Sequence, residues 1–418
     1  MAPVLALFLA LRLAQQAAES VLAAVNRRYA TGPVRLAEAG RALRVSPEDL
    51  ARAVAYSGDR YRFAQLYGWI EVAVGLAFVA LGGLGAVERA ARAAAQPLGG
   101  GEVVAGLAFF AVLALLSALF ELPFDLYETF RIEERHGFNR QTVRGFFVDR
   151  GRGLAVAVAL GGPVLAAILW IMGRMGPAWW LWAWAVTTAF SVFTAWIYPT
   201  VLAPLFNRFT PLPPGELREA ILDLVRRIGF RAGGIFVMDA SRRTAHGNAY
   251  FTGLFGQKRI VLFDTLLQAM GTREVVAVLA HELGHFKLHH VRWSLARSVA
   301  ITGLVFFGLS LALPYDALYS AFSVDRTAYG ALTVFGLWFS LVSFLLQPLA
   351  NALSRRHEFA ADAFALRSGA SAGELGEALL RLREQSRLLP VSHPLYSRVY
   401  HSHPPLLERL RAMGAVTG

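Results

Sequence analysis

The 418-residue sequence contains no cysteine, which excludes disulfide bonds and thiolate chemistry. Any bound metal ion must therefore be held by histidine, aspartate or glutamate side chains. Charged residues make up only 17% of the chain and hydrophobic residues 56%, a balance outside the usual range of soluble proteins. We therefore expect much of the chain to lie in a lipid bilayer.

Seven apolar stretches are long enough to cross a bilayer as helices. Five carry no charge over 18 residues or more, whereas the first contains Arg12 and Glu19 and the second contains Glu71. The N-terminal stretch lacks the basic start of a secretory signal, so we expect it to remain as the first helix. The sequence predicts a mainly α-helical, multi-pass membrane protein with about seven transmembrane helices. The stretches are Pro3–Val25, Leu66–Val87, Val103–Phe120, Gly153–Gly173, Met175–Asn207, Ser298–Tyr315 and Thr327–Ser354.

Lysine is scarce, so the net charge of +12 comes almost entirely from arginine. A basic chain can bind nucleic acid, but here the arginines follow a membrane pattern. The connection from Arg27 to Arg62 holds eight arginines and that from Glu121 to Arg152 holds six, whereas the three alternate connections share four. By the positive-inside rule, the N-terminus lies outside the plasma membrane and the water-facing C-terminal parts lie in the cytoplasm. We expect no nucleic-acid partner.

One short motif carries the chemistry. His281 to His285 reads HELGH and follows an apolar run on a helix that is predicted to begin near Thr272. Because residues four apart share one face of a helix, the two imidazoles can hold one zinc ion while Glu282 faces a water on that ion. The motif indicates a zinc metalloendopeptidase with one ion per chain, in which Glu282 is the general base.

The water-facing material surrounds this motif in two blocks. We divide the chain into an N-terminal membrane region (1–207), the first part of the protease domain (208–297), the last two membrane helices (298–354) and the second part of the protease domain (355–418). Short β-rich runs precede the motif and predict a small sheet, so the domain is α+β. These runs are Ile235–Met238, Asn248–Thr252 and Arg259–Phe263.

A catalytic zinc needs a third protein ligand and an open position. The metzincin spacing is absent because Val291 stands where the third histidine would be, and the Asp-Gly pair of site-2 proteases does not occur. His289 and His290, one turn beyond His285 on the predicted helix, are a weaker alternative that fits a polar helix end.

A later segment supplies two acids one turn apart. Glu358 fits the third ligand, and Asp362 fits a partner that hydrogen-bonds the distal nitrogen of a zinc histidine. The same pattern also fits an amphipathic helix end in which Arg355 pairs with Glu358 in solvent. Spacing alone favours neither reading.

Several further motifs, taken with HELGH, resemble those of the type I CAAX prenyl endopeptidases, membrane gluzincins that trim prenylated proteins. This resemblance implies seven helices that enclose a water-filled chamber, with a zincin-like domain and its zinc at the cytoplasmic end. It also implies Glu358 as the third ligand. The motifs are IEERHGFNRQT (Ile132–Thr142), IYPTVLAPLFNRFTPL (Ile197–Leu212), HGNAYFTG (His246–Gly253), SRRHEFAADAFA (Ser354–Ala365) and SHPPLLERL (Ser402–Leu410).

The resemblance also implies roles in binding and catalysis. Asn248 and Ala249 would lie on an edge strand that pairs with the substrate backbone, although an ordinary hairpin strand would read the same way. His403 and Arg409 would stabilise the oxyanion of the tetrahedral intermediate. His393, which also precedes a proline, competes with His403 for this role, and a plain surface charge remains an alternative for Arg409.

Two other classes of function remain open on the sequence. A membrane scaffold or chaperone would use a structural zinc with four protein ligands. A transporter is suggested by Glu71, Glu121 and Asp125 in or beside membrane spans, although the same acids fit a hydrated chamber. The arginine and alanine bias is typical of a prokaryotic chain. We therefore expect protein or peptide substrates that are membrane-embedded or prenylated, with membrane-protein quality control as the main task.

Overall fold

The computed structural model describes residues 3–230, 233–252 and 259–415. Within these ranges the chain forms eighteen α-helices and four short strands. The helices are α1 (Pro3–Ala30), α2 (Pro33–Ala42), α3 (Pro47–Ala80), α4 (Gly83–Ala95), α5 (Glu102–Tyr127), α6 (Val143–Val156), α7 (Gly162–Arg174), α8 (Trp179–Ile197), α9 (Ala203–Phe206), α10 (Glu216–Ile228), α11 (Asp264–Ala269), α12 (Thr272–Lys287), α13 (His290–Ala312), α14 (Asp316–Ala321), α15 (Ala328–Arg367), α16 (Ala372–Ser386), α17 (Pro394–Tyr400) and α18 (Leu406–Ala412). The strands are β1 (Phe209–Pro211), β2 (Ile235–Met238), β3 (Ala249–Thr252) and β4 (Arg259–Phe263).

Seven helical stretches in the described part of the chain are long and apolar enough to cross a membrane, as predicted. Three of them continue through a π-helical segment, so α5, the pair α6 and α7, and the pair α8 and α9 each form one span. The last span, α15, has 40 residues and runs on into the water-facing half. The spans are Pro3–Ala30, Pro47–Ala80, Glu102–Glu133, Val143–Arg174, Gly176–Phe206, His290–Ala312 and Ala328–Arg367.

The bounds of the second span differ from the prediction. The helix begins at Pro47, after a cap in which the Ser46 hydroxyl accepts the N–H of Asp49, and it ends at Ala80 rather than Val87. Gly82 adopts a left-handed conformation with φ of 76°, which residues with a Cβ rarely adopt, and it turns the chain into the separate helix α4. An apolar run therefore crosses a break that hydropathy alone does not reveal.

The four strands form one mixed sheet in the order β1-β2-β4-β3. The inner strands β2 and β4 are parallel, and each outer strand is antiparallel to its neighbour. The three predicted β runs are confirmed, with β3 beginning one residue late, and β1 was not predicted. β3 therefore lies at one edge of the sheet.

The protease half has its own core between this sheet and the helices α10, α12 and α16. Its fully buried side chains include Ile221 of α10, Leu262 of β4 and Leu279 of α12. The hydrophobic face of α12 is thus fixed against the sheet, which leaves its histidine-bearing face toward α15.

Polar contacts join the membrane loops to the protease half. Arg243 donates two hydrogen bonds to Asp149, at 2.8 and 3.1 Å, and the ring of His246 stacks on Phe138 at 4.5 Å. These contacts hold the segment before β3 against α6 and against the loop that precedes it.

Candidate metal centre

The helix α12 is built to present its motif. Its first turn is closed by Glu274, whose carboxylate accepts the N–H of Gly271 at 2.8 Å and pairs with Arg381 at 3.1 Å. The run Val275–Ala280 is apolar and largely buried. The predicted helix is therefore confirmed, and residues 281 and 285 share one of its faces.

The helix α15 approaches α12 closely at a glycine. A Cβ at Gly284 would lie 3.1 Å from Cα of Ala361 and 3.2 Å from its carbonyl oxygen. A side chain at this position would be tighter than most Cβ contacts and would require α15 to move by a few tenths of an ångström, so glycine favours the close approach of the two backbones. The close contact brings Glu358 of α15 opposite the histidines of α12.

Three side chains converge between these helices. Nε2 of His281 and Nε2 of His285 are 3.3 Å apart, and Glu358 oxygens lie 3.6 Å from the first and 3.2 Å from the second. One atom from each residue falls within 4.8 Å of the others, as a shared metal ion requires. Glu358 is 3% exposed, so the alternative of a solvated pair with Arg355 is wrong.

The donor set fits a cation. Oε2 of Glu358 is buried and makes no aligned hydrogen bond in the described part of the chain, and Nδ1 of His403 lies 2.8 Å from it. Burial alone would lower the pKa of His281, but hydrogen bonds with Asp362 and Glu358 raise that pKa to about 9. The carboxylates around His281 therefore stabilise positive charge at this position. Two imidazoles and one carboxylate make three ligands, and a catalytic metal site of this kind keeps a further position open.

Asp362 stands behind His281. Its Oδ1 lies 2.8 Å from Nδ1 of His281, on the side of the ring away from Glu358. Arg409 clamps the same carboxylate with hydrogen bonds of 2.6 and 2.9 Å. Nη1 of Arg409, which makes neither of these bonds, lies 3.6 Å from Oε2 of Glu358. Arg409 is buried, so it is not a surface charge.

His285 has a different partner, which the sequence did not reveal. Helix α12 ends at Lys287, and His289 turns the chain in a left-handed conformation with φ of 60°. The prediction that His289 and His290 continue the helix of His285 is therefore wrong. The turn brings Nδ1 of His290 to 3.1 Å from Nδ1 of His285, and the buried ring of His290 stacks on His357 at 4.0 Å.

Glu282 lies beside the histidines, in the wall of the cavity that reaches the centre. Burial raises its pKa above the usual range of a glutamate. A carboxylate that is partly shielded from water accepts a proton more readily than a fully exposed one.

The two candidate oxyanion histidines lie in different places. Nδ1 of His403 lies 2.8 Å from Oε2 of Glu358, and its side chain is 66% exposed. His393 instead caps α17 through the N–H of Leu395, and its ring packs edge-to-face on Tyr29 at 5.1 Å. The position of His403 beside the metal ligands favours it over His393.

Arg355 holds the segment that carries His403. Its guanidinium donates to the carbonyl oxygens of Ser397, Arg398 and His401, at 3.1, 3.3 and 2.7 Å. These bonds attach the C-terminal end of α17 to α15. Arg355 lies about one helical turn before Glu358 on α15.

A cavity of about 870 Å³ extends from the metal centre to the C-terminal part of α1 and the N-terminal half of α3. The sequence predicts that these parts of the two helices face the cytoplasm. Asn248 lines it together with His281 and Glu282. The side-chain oxygen of Asn248 accepts the N–H of Ala249 at 2.8 Å, and its carbonyl accepts the N–H of Phe263 at 3.0 Å. Successive residues of an antiparallel strand point their N–H and C=O groups alternately toward and away from the neighbouring strand. Because Asn248 bonds to β4, the N–H and C=O of Ala249 point away from β4, toward the outer edge of the sheet.

Two of the three intramembrane acids have basic partners. Glu71 pairs with Arg12 at 3.1 Å, and Asp125 pairs with Arg150. Ionisable residues in membrane spans commonly pair with one another, so these two acids have structural partners.

Seven helices that are long and apolar enough to cross a membrane, with a His-His-Glu group that could hold a metal ion, are typical of a multi-pass membrane metallopeptidase. Comparison with known proteins agrees. Residues 35–208 match the family described as CAAX prenyl protease N-terminal, five membrane helices, and residues 211–417 match peptidase family M48. The chain belongs to peptidase family M48 and is a membrane metalloendopeptidase that acts on protein substrates.

Individual relatives cover most of the chain. It is 39% identical to the CAAX prenyl protease 1 homolog of Arabidopsis thaliana over 88% of each chain. It is 37% identical to the CAAX prenyl protease 1 homolog of Homo sapiens, over 75% of this chain and 74% of the human one. The crystal structure of S. mikatae Ste24p superposes with a TM-score of 0.91 at 30% identity, covering 99% of both chains. The predicted fold class and enzyme class are confirmed.

Proposed function

We propose that the metal is a single zinc ion held by His281, His285 and Glu358, and that the enzyme hydrolyses peptide bonds of membrane-associated or CAAX-like proteins. The observation that carries the proposal is the convergence of these three ligands from α12 and α15. Imidazole nitrogens and a carboxylate suit zinc, and three protein ligands are typical of its catalytic sites. When bound, zinc would polarise the scissile carbonyl and acidify water.

Each remaining residue then has a task that its position supports. Glu282 takes a proton from the attacking water and passes it to the departing amine. His403 and Nη1 of Arg409, which makes no hydrogen bond to Asp362, donate hydrogen bonds to the oxyanion. Asp362 keeps the proton of His281 on Nδ1, so that Nε2 remains free for the metal.

The free edge of β3 supports the substrate. An extended peptide would add a strand beside Ala249, with Asn248 positioned in the cavity wall near Glu282. Main-chain pairing of this kind accepts many sequences, because every peptide offers the same backbone groups.

We also propose that this site faces the cytoplasm of a cell whose plasma membrane holds the protein, because the arginine distribution favours an N-terminus on the outer side. The names of the relatives suggest prenylated CAAX substrates. Because the composition is typical of a prokaryotic chain, we propose membrane-protein quality control as the cellular task and CAAX cleavage as an activity that appears in vitro.

The test is to incubate the purified protein with a farnesylated CAAX peptide and with an unmodified unfolded polypeptide. We expect cleavage of both in detergent or vesicles. A zinc chelator should stop it, and added zinc should restore it. Cleavage that survives complete removal of metal would refute the proposal.

A second prediction concerns His290. With Nε2 of His285 given to the metal, its proton lies on Nδ1, so the 3.1 Å contact requires His290 to accept. His290→Leu removes this acceptor, and we expect a metal affinity about 10- to 100-fold lower. Competition with a chelator of known affinity measures the change.

Two further variants serve as controls for His290→Leu. His290→Asn retains an acceptor and should recover part of the affinity. His289→Asn alters the exposed neighbour with a residue that tolerates its left-handed backbone, and should match the parent protein. Equal affinity in the leucine variant and the parent would show that the contact does not orient the ligand.

A further inference from the structure

The proposed oxyanion donor His403 is placed by its backbone rather than by the packing of its side chain. That side chain is 66% exposed, and Nδ1 contacts Oε2 of Glu358 at 2.8 Å. The residue lies in an irregular turn between α17 and α18, and the two residues that follow it, Pro404 and Pro405, have restricted backbone angles. The direction of the imidazole therefore depends on what holds the two ends of this turn.

Both ends of the turn are held by α15. On the C-terminal side, Arg409 of α18 donates to both carboxylate oxygens of Asp362, at 2.6 and 2.9 Å. On the N-terminal side, the guanidinium of Arg355 donates to the carbonyl oxygen of His401 at 2.7 Å, two residues before His403. His403 therefore lies between two attachment points on a single helix.

The N-terminal attachment includes several more hydrogen bonds from α15. Arg355 also donates to the carbonyl oxygens of Ser397 and Arg398, at 3.1 and 3.3 Å. Nδ2 of Asn351 donates to the carbonyl oxygen of Val399 at 2.7 Å. The last carbonyl groups of a helix have no partners within that helix and carry partial negative charge, so a guanidinium suits them. Two side chains of α15 thus fix the end of α17 from which the turn begins.

One face of α15 carries these attachment points together with the third proposed metal ligand. Its residues follow one another at intervals of three or four, as one side of a helix requires: Asn351, Arg355, Glu358 and Asp362. Glu358 contacts His403, and Asp362 contacts Arg409. The placement of both proposed oxyanion donors relative to the metal ligands is therefore set by one helix.

We propose that Arg355 is a positioning residue, which fixes His403 at the place where the oxyanion forms and does not itself touch the substrate. This inference rests on the proposed function, in which His403 donates to the oxyanion. A donor of this kind contributes about 10²- to 10³-fold to kcat, and a displacement of about 1 Å can remove much of that contribution. Arg355 does not line the cavity that extends from the metal centre, so its loss leaves substrate binding unchanged.

The experiment is a double-mutant cycle on the full-length enzyme with a quenched peptide. Arg355→Met removes the hydrogen bonds and retains an unbranched side chain. We expect kcat to fall about 10- to 100-fold, with KM within about twofold of the parent value. In the background of His403→Ala, the same substitution should have no further effect on kcat, because the donor that it positions is already absent. Effects that multiply in the double variant would overturn the inference.

The specificity of the effect is tested with a conservative variant and a neighbouring one. Arg355→Lys keeps a cation that can donate to carbonyl oxygens, so it should recover part of the lost kcat. Arg356→Met alters the exposed neighbour on the same helix and should match the parent enzyme. An equal loss in Arg356→Met and Arg355→Met would contradict the inference, because positive charge in this region would then be the cause.

Metal affinity distinguishes an effect on the turn from an effect on the ligand. Arg355 lies about one turn before Glu358, so a distorted α15 would weaken metal binding as well. Competition with a chelator should give the parent affinity for Arg355→Met, and a loss of affinity in step with kcat would rule out the positioning role. Should Arg355→Met fail to fold, Asn351→Leu removes the hydrogen bond to Val399 and enters the same cycle with His403→Ala.

Failure of the proposed function would give a different pattern of results. A kcat of His403→Ala equal to that of the parent would show that this histidine does not stabilise the oxyanion, and the inference would fall with that role. A reduced kcat in His403→Ala that Arg355→Met reduces further would overturn the inference alone. Absence of metal-dependent cleavage by the parent enzyme would instead contradict the peptidase function itself.

Discussion

Glu282→Ala is expected to bind metal like the parent protein and to lose peptide hydrolysis by about 10²- to 10⁴-fold. The reason is that Glu282 lies between the two histidine ligands in sequence and lines the active-site cavity, yet is not one of the three converging ligands. The substitution removes the proposed proton acceptor and leaves the three proposed metal ligands in place. The measurement is kcat/KM on a quenched peptide together with the metal content of the same preparation.

Glu282→Gln gives the matched control, since it keeps the shape of the side chain and removes only its ability to take a proton. It should be as inactive as the alanine variant. Hydrolysis at the parent rate by either variant would refute the assignment of Glu282 as the general base.

Glu358→Gln has the second largest expected effect, and it acts on the metal itself. Loss of a residue that only supports a ligand lowers metal affinity by about 10- to 100-fold, so loss of a ligand should exceed that range. Two histidines alone do not hold a catalytic zinc firmly. Titration against a chelator should show the weakened binding, and activity should fall in parallel at limiting zinc.

Asp362→Asn provides a graded comparison. It keeps the size of the side chain that supports His281 but weakens the hydrogen bond of 2.8 Å to Nδ1. Its metal affinity should fall between those of the parent and Glu358→Gln. If Glu358→Gln binds metal as tightly as the parent, the ligand assignment is wrong.

Periodicity and hydropathy were sufficient for the parts of this fold that depend on local sequence. Seven apolar stretches predicted seven spans, and β-branched runs predicted β2, β3 and β4. The break at Gly82 was missed because an apolar run continues through it, and only the left-handed backbone ends the helix. β1 was missed because three residues containing a proline carry almost no strand signal.

Some residues of the candidate site could likewise be predicted from the sequence, and others could not. HELGH predicts its own geometry, because the spacing of the two histidines equals about one turn of helix. Glu358 could not be chosen from spacing alone, since its approach depends on the contact of Gly284 with Ala361 across two helices. His290 was missed because its role depends on a tertiary neighbour, the imidazole of His285.

The 40-residue helix α15 is both the last membrane span and the carrier of Glu358. During synthesis, the two histidines leave the ribosome more than seventy residues before their third partner. The hydrolytic centre therefore stays incomplete until the final span is made and docked. On the proposed ligand set, a nascent or truncated chain that stops before this helix lacks the third ligand, and we expect it to be unable to digest its neighbours.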